Sequence, residues 1–363
     1  MLKFLSSSAR FLPSVLPYFW SPQPKAIDIE LTNRCNLKCK MCWFHGEGGV
    51  GDGYIGSELT GDEVSRLLTQ LSPYKPRIYL GGSEPFVRKD ALSILEEIKY
   101  LGLSVLFTTN GTLFDQDKMM KLVKFGVDHI IFSIDGYEEL HDEIRGRGVF
   151  KTVTSNIKEL SDFRKEKKCN KPVVSVNITI TPFIIGHLRE TVNSIREATQ
   201  DNVDVYRIHQ LWYITSQELS IHQASIKKFL DCSAPKAACH ITPLSRDIDP
   251  LVLCDEMIQL RKVPKIKFFP NLNYKDLLDY YSECSPAKYG CFAPFYRAVI
   301  KPNGDVKFCP DEWIDDYILG NIRDDMFKDI WGSEKARYFR SVILRRKSFP
   351  ACKRCSWMYS FRQ

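Results

Sequence analysis

Short β-rich runs alternate with amphipathic helical patterns from residue 26 to residue 208. The predicted strands are 26–31, 77–81, 104–108, 129–134, 173–180 and 203–208, and the predicted helices between them are 61–71, 89–100, 116–125, 150–164 and 188–198. Such alternation is typical of βα units around a parallel sheet. Six strands are too few for a closed eight-stranded barrel. The sequence therefore predicts an α/β fold, a partial (β/α)6 TIM-like barrel with its chemistry in the loops that follow the strands.

The C-terminal part of the chain has a different pattern. Residues 209–290 are irregular, and we interpret them as a connecting region with one or two helices. Residues 296–301 and 305–308 flank a Pro-Asn-Gly turn, which predicts a β-hairpin, and a helix is predicted at 334–346. The expected domains are an N-terminal extension (1–25), the barrel (26–208), the connecting region (209–290) and a small C-terminal α+β domain (291–363).

Composition and charge exclude few functions. The chain has 51 basic and 44 acidic residues among 363, a net charge of +7 that is not concentrated in one tract, so nucleic acid is not indicated as a partner. The apolar stretch 2–20 is broken by serines, an arginine and prolines, so it is neither a signal peptide nor a bilayer span. Its aromatic end, 18–20, could contact a membrane surface or lipid, or pack on the domain itself.

Seven of the twelve cysteines fall into two groups. A tight trio comprises Cys35, Cys39 and Cys42, and a distal quartet comprises Cys291, Cys309, Cys352 and Cys355. This grouping is typical of metal ligation in a reducing compartment rather than of disulfides, so we expect a cytoplasmic protein.

The trio directly follows the first predicted strand. Three thiolates can hold three irons of a [4Fe-4S] cluster and leave the fourth iron open to a ligand. The alternative is a zinc site in which His45 completes a tetrahedral set.

Four motifs follow four successive strands, in order. They are CNLKCKMC at 35–42, GSEP at 82–85, TTNG at 108–111 and SIDG at 133–136. Together they resemble the motifs of radical S-adenosylmethionine (SAM) enzymes over about residues 26–208. The resemblance implies that Cys35, Cys39 and Cys42 hold the cluster that cleaves SAM and that Met41 lies next to the adenine.

The resemblance also assigns roles to the later loops. Gly82, Ser83 and Glu84 would bind the methionine amino group, with Ser83 standing where the family has a second glycine. The polar side chains of Thr109, Asn110 and Ser133 would face the ribose and carboxylate of SAM. Arg145, in a His-x3-Arg-Gly segment, would meet the carboxylate or the substrate, unless it forms only a surface salt bridge.

The quartet offers enough thiolates to ligate a second [4Fe-4S] cluster completely, although four cysteines are also a common zinc set. Cys284 could compete with Cys291 as a ligand. The spacing resembles the SPASM and twitch auxiliary domains, most closely the four-cysteine twitch form. A fully ligated cluster is suited to moving electrons, which favours net oxidation of the substrate.

These features predict a radical SAM oxidoreductase. Such an enzyme generates a 5′-deoxyadenosyl radical that abstracts hydrogen from a carbon centre of its substrate, here expected to be a sugar, cyclitol or natural-product intermediate. The alternatives are a peptide maturase or epimerase, in which a remaining cysteine could donate hydrogen, and a non-catalytic iron-sulfur or zinc protein. Flavodoxin or ferredoxin is the expected electron donor.

Overall fold

The computed structural model describes residues 23–46, 49–51, 57–241, 248–282 and 287–359. The predicted lipid contact of the N-terminal extension lies outside these ranges, as does Cys284. Across the described ranges, no helix is both long enough and apolar enough to cross a bilayer.

One twisted sheet organises the described residues. Its strands are β1 (Ala26–Glu30), β2 (Arg77–Gly81), β3 (Ser104–Thr109), β4 (His129–Ser133), β5 (Val173–Thr179), β6 (Val205–His209), β7 (Ile266–Phe269), β8 (Arg297–Ile300), β9 (Asp305–Lys307) and β10 (Gly320–Asn321). The spatial order is β10-β9-β8-β1-β2-β3-β4-β5-β6-β7, and the strands from β8 to β7 are parallel neighbours. The predicted partial barrel is confirmed.

The described residues also form helices. They are α1 (Gly61–Leu71), α2 (Ala91–Tyr100), α3 (Gln116–Phe125), α4 (Glu138–Arg145), α5 (Val149–Glu166), α6 (Leu188–Ala198), α7 (Ser216–Leu230), α8 (Pro250–Leu260), α9 (Tyr274–Tyr281), α10 (Phe327–Trp331) and α11 (Glu334–Arg346). Local chemistry fixes their ends: Thr60 and Glu63 form a capping box at the start of α1, and Gly126 ends α3 at φ +70°.

The connecting region is more regular than predicted. Its described residues contain three α-helices, α7 to α9, rather than one or two, and they contribute β7, a seventh parallel strand that pairs with β6. The predicted hairpin forms as β8 and β9, but β8 pairs in parallel with β1, so the sheet runs on from the barrel into the C-terminal region. The division at residues 25, 208 and 290 stays a prediction.

Buried and partly exposed side chains alternate along the strands, so one face of the sheet is buried and the other is partly accessible to solvent. Side chains directed at the helices, such as Val105, Phe107 and Ile208, are fully buried, whereas their neighbours on the inner face, such as Thr108 and Arg207, keep partial exposure. Because successive strand residues point to opposite faces, the inner face lines a lumen that solvent can reach. This lumen is the space in which loops from several strands meet.

Candidate active site and auxiliary cluster site

The cysteine trio lies in the loop between β1 and α1. The backbone N–H of Leu37 donates to Cys35 Sγ at 3.4 Å, and that of His45 donates to Cys42 Sγ at 3.2 Å. Burial, with smaller contributions from Glu84 and the other two thiols, raises the pKa of Cys35 to about 11. The charges of Cys39 and Cys42 therefore act on Cys35, as expected for three ligands of one cluster.

His45 does not complete a zinc site in this structure. Its Nε2 lies 2.8 Å from Ser83 Oγ, so the ring is engaged by the loop after β2. Within the described part of the chain, no three His, Cys, Asp or Glu side chains are arranged around a position for a single metal ion.

Glu84 braces the loops that follow β2 and β3. Its carboxylate accepts hydrogen bonds from the backbone N–H of Phe86 at 3.1 Å, from Thr109 Oγ1 at 3.0 Å and from the backbone N–H of Asn110 at 2.7 Å. The residue is 1% exposed, and burial raises its pKa despite these donors. The motifs GSEP and TTNG, far apart in sequence, are thus joined at a single carboxylate.

Gly82 allows the second loop to lie against the first. Its φ is +94°, and a Cβ at this position would lie 2.5 Å from the carbonyl oxygen of Thr32. The next residue, Ser83, donates its backbone N–H to the same oxygen at 3.0 Å. Glycine is therefore required here both for its backbone conformation and for the close approach.

Two polar side chains reach the sulfurs of the trio. Asn110 Nδ2 lies 3.8 Å from Cys35 Sγ and donates to Asn36 Oδ1 at 2.8 Å. Arg145 Nη1 lies 3.7 Å from Cys39 Sγ. The structure therefore places both residues next to the predicted cluster.

The alternative reading of Arg145 as a surface salt bridge is wrong. Its ion pair with Asp135, at 2.5 Å, is buried, with side-chain exposures of 12% and 1%. Burial lowers the pKa of the Arg145 guanidinium, but the negative charges of Asp135 and Cys39 raise it by more. The pKa is therefore above its usual value. Asp135 also accepts the backbone N–H of Thr179 at 2.7 Å, which ties the pair to β5.

The other two predicted SAM contacts occupy less constrained positions. Met41 is half-buried and packs against the main core, and Ser133 is a half-buried residue at the end of β4 on the lumen side. The roles assigned to individual SAM-binding residues stay predictions.

The distal quartet surrounds a cavity. Cys291, Cys309, Cys352 and Cys355 all line it, together with apolar side chains that include Phe308, Trp313 and Trp357. Burial, followed by the charge of Cys352, raises the pKa of Cys291 to about 12, and burial raises the pKa of Cys352 to about 11. Buried thiolates require a compensating cation, which bound iron supplies. A space walled by four sulfurs and apolar groups fits a fully ligated cluster.

An aromatic stack connects the two cysteine sites. Trp43, the residue after Cys42, lies 5.1 Å from the ring of His240, measured between centroids. His240 in turn stacks on Trp313 at 4.0 Å, and Trp313 lines the cavity of the quartet. The two sites thus face one region of the molecule.

Comparison with known families agrees with this geometry. Residues 29–204 match the Radical SAM superfamily, and residues 291–356 match SPASM, an iron-sulfur cluster-binding domain. The chain belongs to the radical SAM superfamily. This radical SAM protein, with its SPASM domain, uses [4Fe-4S] clusters and SAM as cofactors.

Several curated proteins are similar to this radical SAM protein. The tungsten-containing aldehyde ferredoxin oxidoreductase cofactor-modifying protein of Pyrococcus furiosus is 26% identical, over 92% of this chain and 87% of that protein. The AdoMet-dependent heme synthase of Oleidesulfovibrio alaskensis is 26% identical, over 93% of this chain and 81% of that protein. The PqqA peptide cyclase of Bradyrhizobium diazoefficiens is 30% identical, but over only 34% of this chain and 32% of that protein.

Solved structures share the fold. Streptococcus suis SuiB bound to S-adenosylmethionine superposes with a TM-score of 0.60 at 15% identity, over 92% of this chain and 71% of that one. The protein anSMEcpe, with bound AdoMet and the Cp18Cys peptide, superposes with a TM-score of 0.57 at 18% identity, over 92% and 86%. At these identities the likeness supports the fold of the radical SAM protein and nothing finer.

Some site residues were not selected from the sequence. Asp135 lies within the SIDG motif, but only its buried pairing with Arg145 shows that it matters. His240 and Trp313 lie in segments without a recognisable motif, and they meet only because the connecting region packs against the C-terminal region. No pattern in the sequence indicates such a contact.

Proposed function

We propose that this radical SAM protein oxidises or rearranges a carbon centre of a natural-product intermediate held in the barrel lumen. The observation that carries the proposal is a lumen lined by polar side chains, next to the cysteine trio. Half-buried polar side chains line it from successive strands: Tyr79, Thr108, Ser133, Asn177, Arg207 and His209. A lumen of this kind suits a substrate with several polar groups better than a purely apolar one.

The relatives bear on the substrate class. The two that match nearly the whole chain are named for heme synthesis and for cofactor modification, which favours a small-molecule intermediate of cofactor type over the sugar or cyclitol expected from the sequence. A peptide is the second candidate, because one relative is a PqqA peptide cyclase and the fold is shared with SuiB bound to the precursor peptide SuiA.

Residues around the cysteine trio would position SAM for cleavage. When loaded, a radical SAM site supplies a 5′-deoxyadenosyl radical that removes hydrogen from carbon. The Glu84 brace would hold the loops after β2 and β3 in place, and Arg145, anchored by Asp135, would place positive charge beside Cys39. Fixed positions for these groups limit the motion of bound SAM.

The auxiliary site would accept an electron from the oxidised substrate. Its four cysteines would leave no iron of a cluster without a protein ligand, so electron transfer suits it better than substrate binding. Ring contacts run from Trp43, next to Cys42, through His240 to Trp313, which lines the cavity of the quartet. A flavodoxin or ferredoxin would supply the reducing electron, and a reducing cytoplasm is the compartment that suits these free thiols.

The test is an anaerobic preparation analysed for iron, acid-labile sulfide and 5′-deoxyadenosine. The wild-type chain should bind about eight irons and form 5′-deoxyadenosine from SAM under reducing conditions. Cys42→Ala should lose about half of the iron and all product, whereas Cys309→Ala should lose about half of the iron but retain SAM cleavage.

Cys169→Ala serves as the matched control, because Cys169 is an exposed cysteine outside both groups. It should leave iron content and cleavage unchanged. A fully iron-loaded wild-type chain that forms no 5′-deoxyadenosine would contradict the proposal.

A further inference from the structure

Arg207 is a lumen-facing cation in the middle of β6. Its guanidinium carbon lies 4.2 Å from the centre of the Phe269 ring, and its Nε donates to Asn177 Oδ1 at 2.9 Å. Phe269 also stacks on His209, with ring centroids 5.1 Å apart and planes inclined by 15°. Contacts from β5 and β7 therefore fix the plane of the guanidinium.

Two other arginines beside the lumen, Arg145 and Arg297, each have a carboxylate partner. Arg145 pairs with Asp135 at 2.5 Å, and Arg297 pairs with Asp28 at 2.7 Å. Among the residues that the structure describes, no carboxylate lies within ion-pair distance of Arg207. Burial lowers the pKa of its guanidinium; Tyr79 partly offsets this effect, and the charge of Arg77 adds to it.

The terminal nitrogens of Arg207 are free to bind a ligand. Only Nε has a hydrogen-bond partner within the described ranges, and neither terminal nitrogen is among the buried polar atoms that lack one. They therefore reach the open part of the lumen. A planar guanidinium with two free terminal nitrogens is suited to paired hydrogen bonds with an oxyanion.

The position of Arg207 favours the substrate over SAM as the source of that anion. Ser133, Asn177 and Arg207 lie side by side on β4, β5 and β6. With neighbouring strands about 4.8 Å apart, Arg207 lies roughly 10 Å across the sheet from β4. The predicted SAM-binding loops follow β1 to β4, so Arg207 lies beyond them.

We propose that Arg207 binds a carboxylate or phosphate group of the substrate and so fixes its orientation in the lumen. This inference rests on the proposed function, since it concerns the substrate of the same lumen. Phe269 supports the guanidinium from one side, and Asn177 holds its Nε. The substrate class is thereby narrowed to molecules that carry an oxyanion.

The test measures binding of two probe anions, benzoate and inorganic phosphate, to the iron-loaded protein by anaerobic calorimetry. At least one probe should bind the wild type, and Arg207→Gln should weaken that binding about tenfold or more, the usual loss for a charged hydrogen bond. Arg207→Lys should recover part of the affinity, because it restores the charge but not the paired geometry. A preference for benzoate indicates a carboxylate, and a preference for phosphate indicates a phosphate group.

Arg189→Gln is the matched control, since Arg189 is exposed and its substitution changes the net charge equally. It should leave probe binding unchanged. The inference is overturned if neither probe binds, if Arg207→Gln binds them like the wild type, or if this variant weakens SAM binding tenfold, which would assign the anion to SAM. Formation of 5′-deoxyadenosine without substrate is measured in parallel, so failure here is distinguishable from failure of the proposed function.

Discussion

A buried network of four charges joins the barrel to the hairpin of the SPASM domain. Lys301 lies 2.5 Å from Glu30 of β1 and 2.7 Å from Glu312, and Lys307 of β9 lies 3.0 Å from Glu312. The side chains of Lys301 and Glu312 are each 2% exposed. We predict that Glu312→Gln destabilises the protein, because it leaves two buried ammonium groups with a single carboxylate.

Two arguments give a similar magnitude. Breaking a buried ion pair by removing one partner costs about 3–5 kcal/mol. Burial raises the pKa of Glu312, but Lys301 and Lys307 outweigh it and lower the pKa from the usual 4.5 to about 2. That difference corresponds to about 3 kcal/mol of stability at neutral pH. Since the folded pKa is depressed, this contribution is present above about pH 4.5 and is lost as the pH falls towards 2.

The assay is urea unfolding of the iron-loaded protein, followed anaerobically by circular dichroism. Glu312→Gln should reduce the free energy of unfolding by about 3 kcal/mol. The double variant Glu312→Gln with Lys307→Met should be less destabilised than the sum of the single variants, because it leaves the neutral pair of Lys301 with Glu30.

The control is Asp231→Asn, which removes an exposed ion pair with Lys227 and should leave the unfolding midpoint unchanged. A loss below about 1 kcal/mol in Glu312→Gln, or strictly additive effects in the double variant, would refute the reasoning.

Three further predictions concern residues in or next to the predicted SAM-binding loops. Glu84→Ala should cost about 3 kcal/mol in urea unfolding, because it leaves three donors without their acceptor, whereas Glu84→Gln should cost less; equal losses would contradict this. Gly82→Ala should weaken SAM binding in equilibrium dialysis about tenfold or more, because its Cβ meets the Thr32 carbonyl, whereas Gly126→Ala, with open space around it, should not. Burial, and to a lesser extent Arg145, lowers the pKa of His141 to about 3, so only the unfolded chain takes up this proton as the pH falls from 6.5. Stability should therefore decline from pH 6.5 towards pH 3, and His141→Asn should flatten that decline in urea midpoints at pH 7 and 5; an unchanged slope would argue against it.

The strands that the sequence predicted share a physical basis. Each has buried apolar residues at alternate positions, as Val105 and Phe107 of β3 do, and each is followed by a helical pattern, so local periodicity was sufficient to find them. Strand β7 was not predicted from the sequence, because it has only four residues, Ile266–Phe269, and lies inside an irregular region. Its identity as a strand depends on pairing with β6, which no local pattern records.

The candidate site also has some features that the sequence predicts and others that only the structure shows. The cysteine spacing and the order of the loop motifs were sufficient to indicate radical SAM chemistry and two cysteine groups, because ligands close in sequence carry their geometry with them. The burial of Arg145 against Asp135 and the contact of His240 with Trp313 join residues from different elements. Such contacts depend on how the elements pack.

The amino-acid sequence by itself determined the βα order, the cysteine trio and quartet, and the loops that follow the strands, since each is set by periodicity or short spacing. Only the tertiary structure decided that β8 pairs with β1, that Lys301 meets Glu30, and that Arg207 faces the lumen without a carboxylate partner among the described residues. The physical reason is that pairing and charge compensation depend on distances in space, which chain folding sets between residues far apart in sequence.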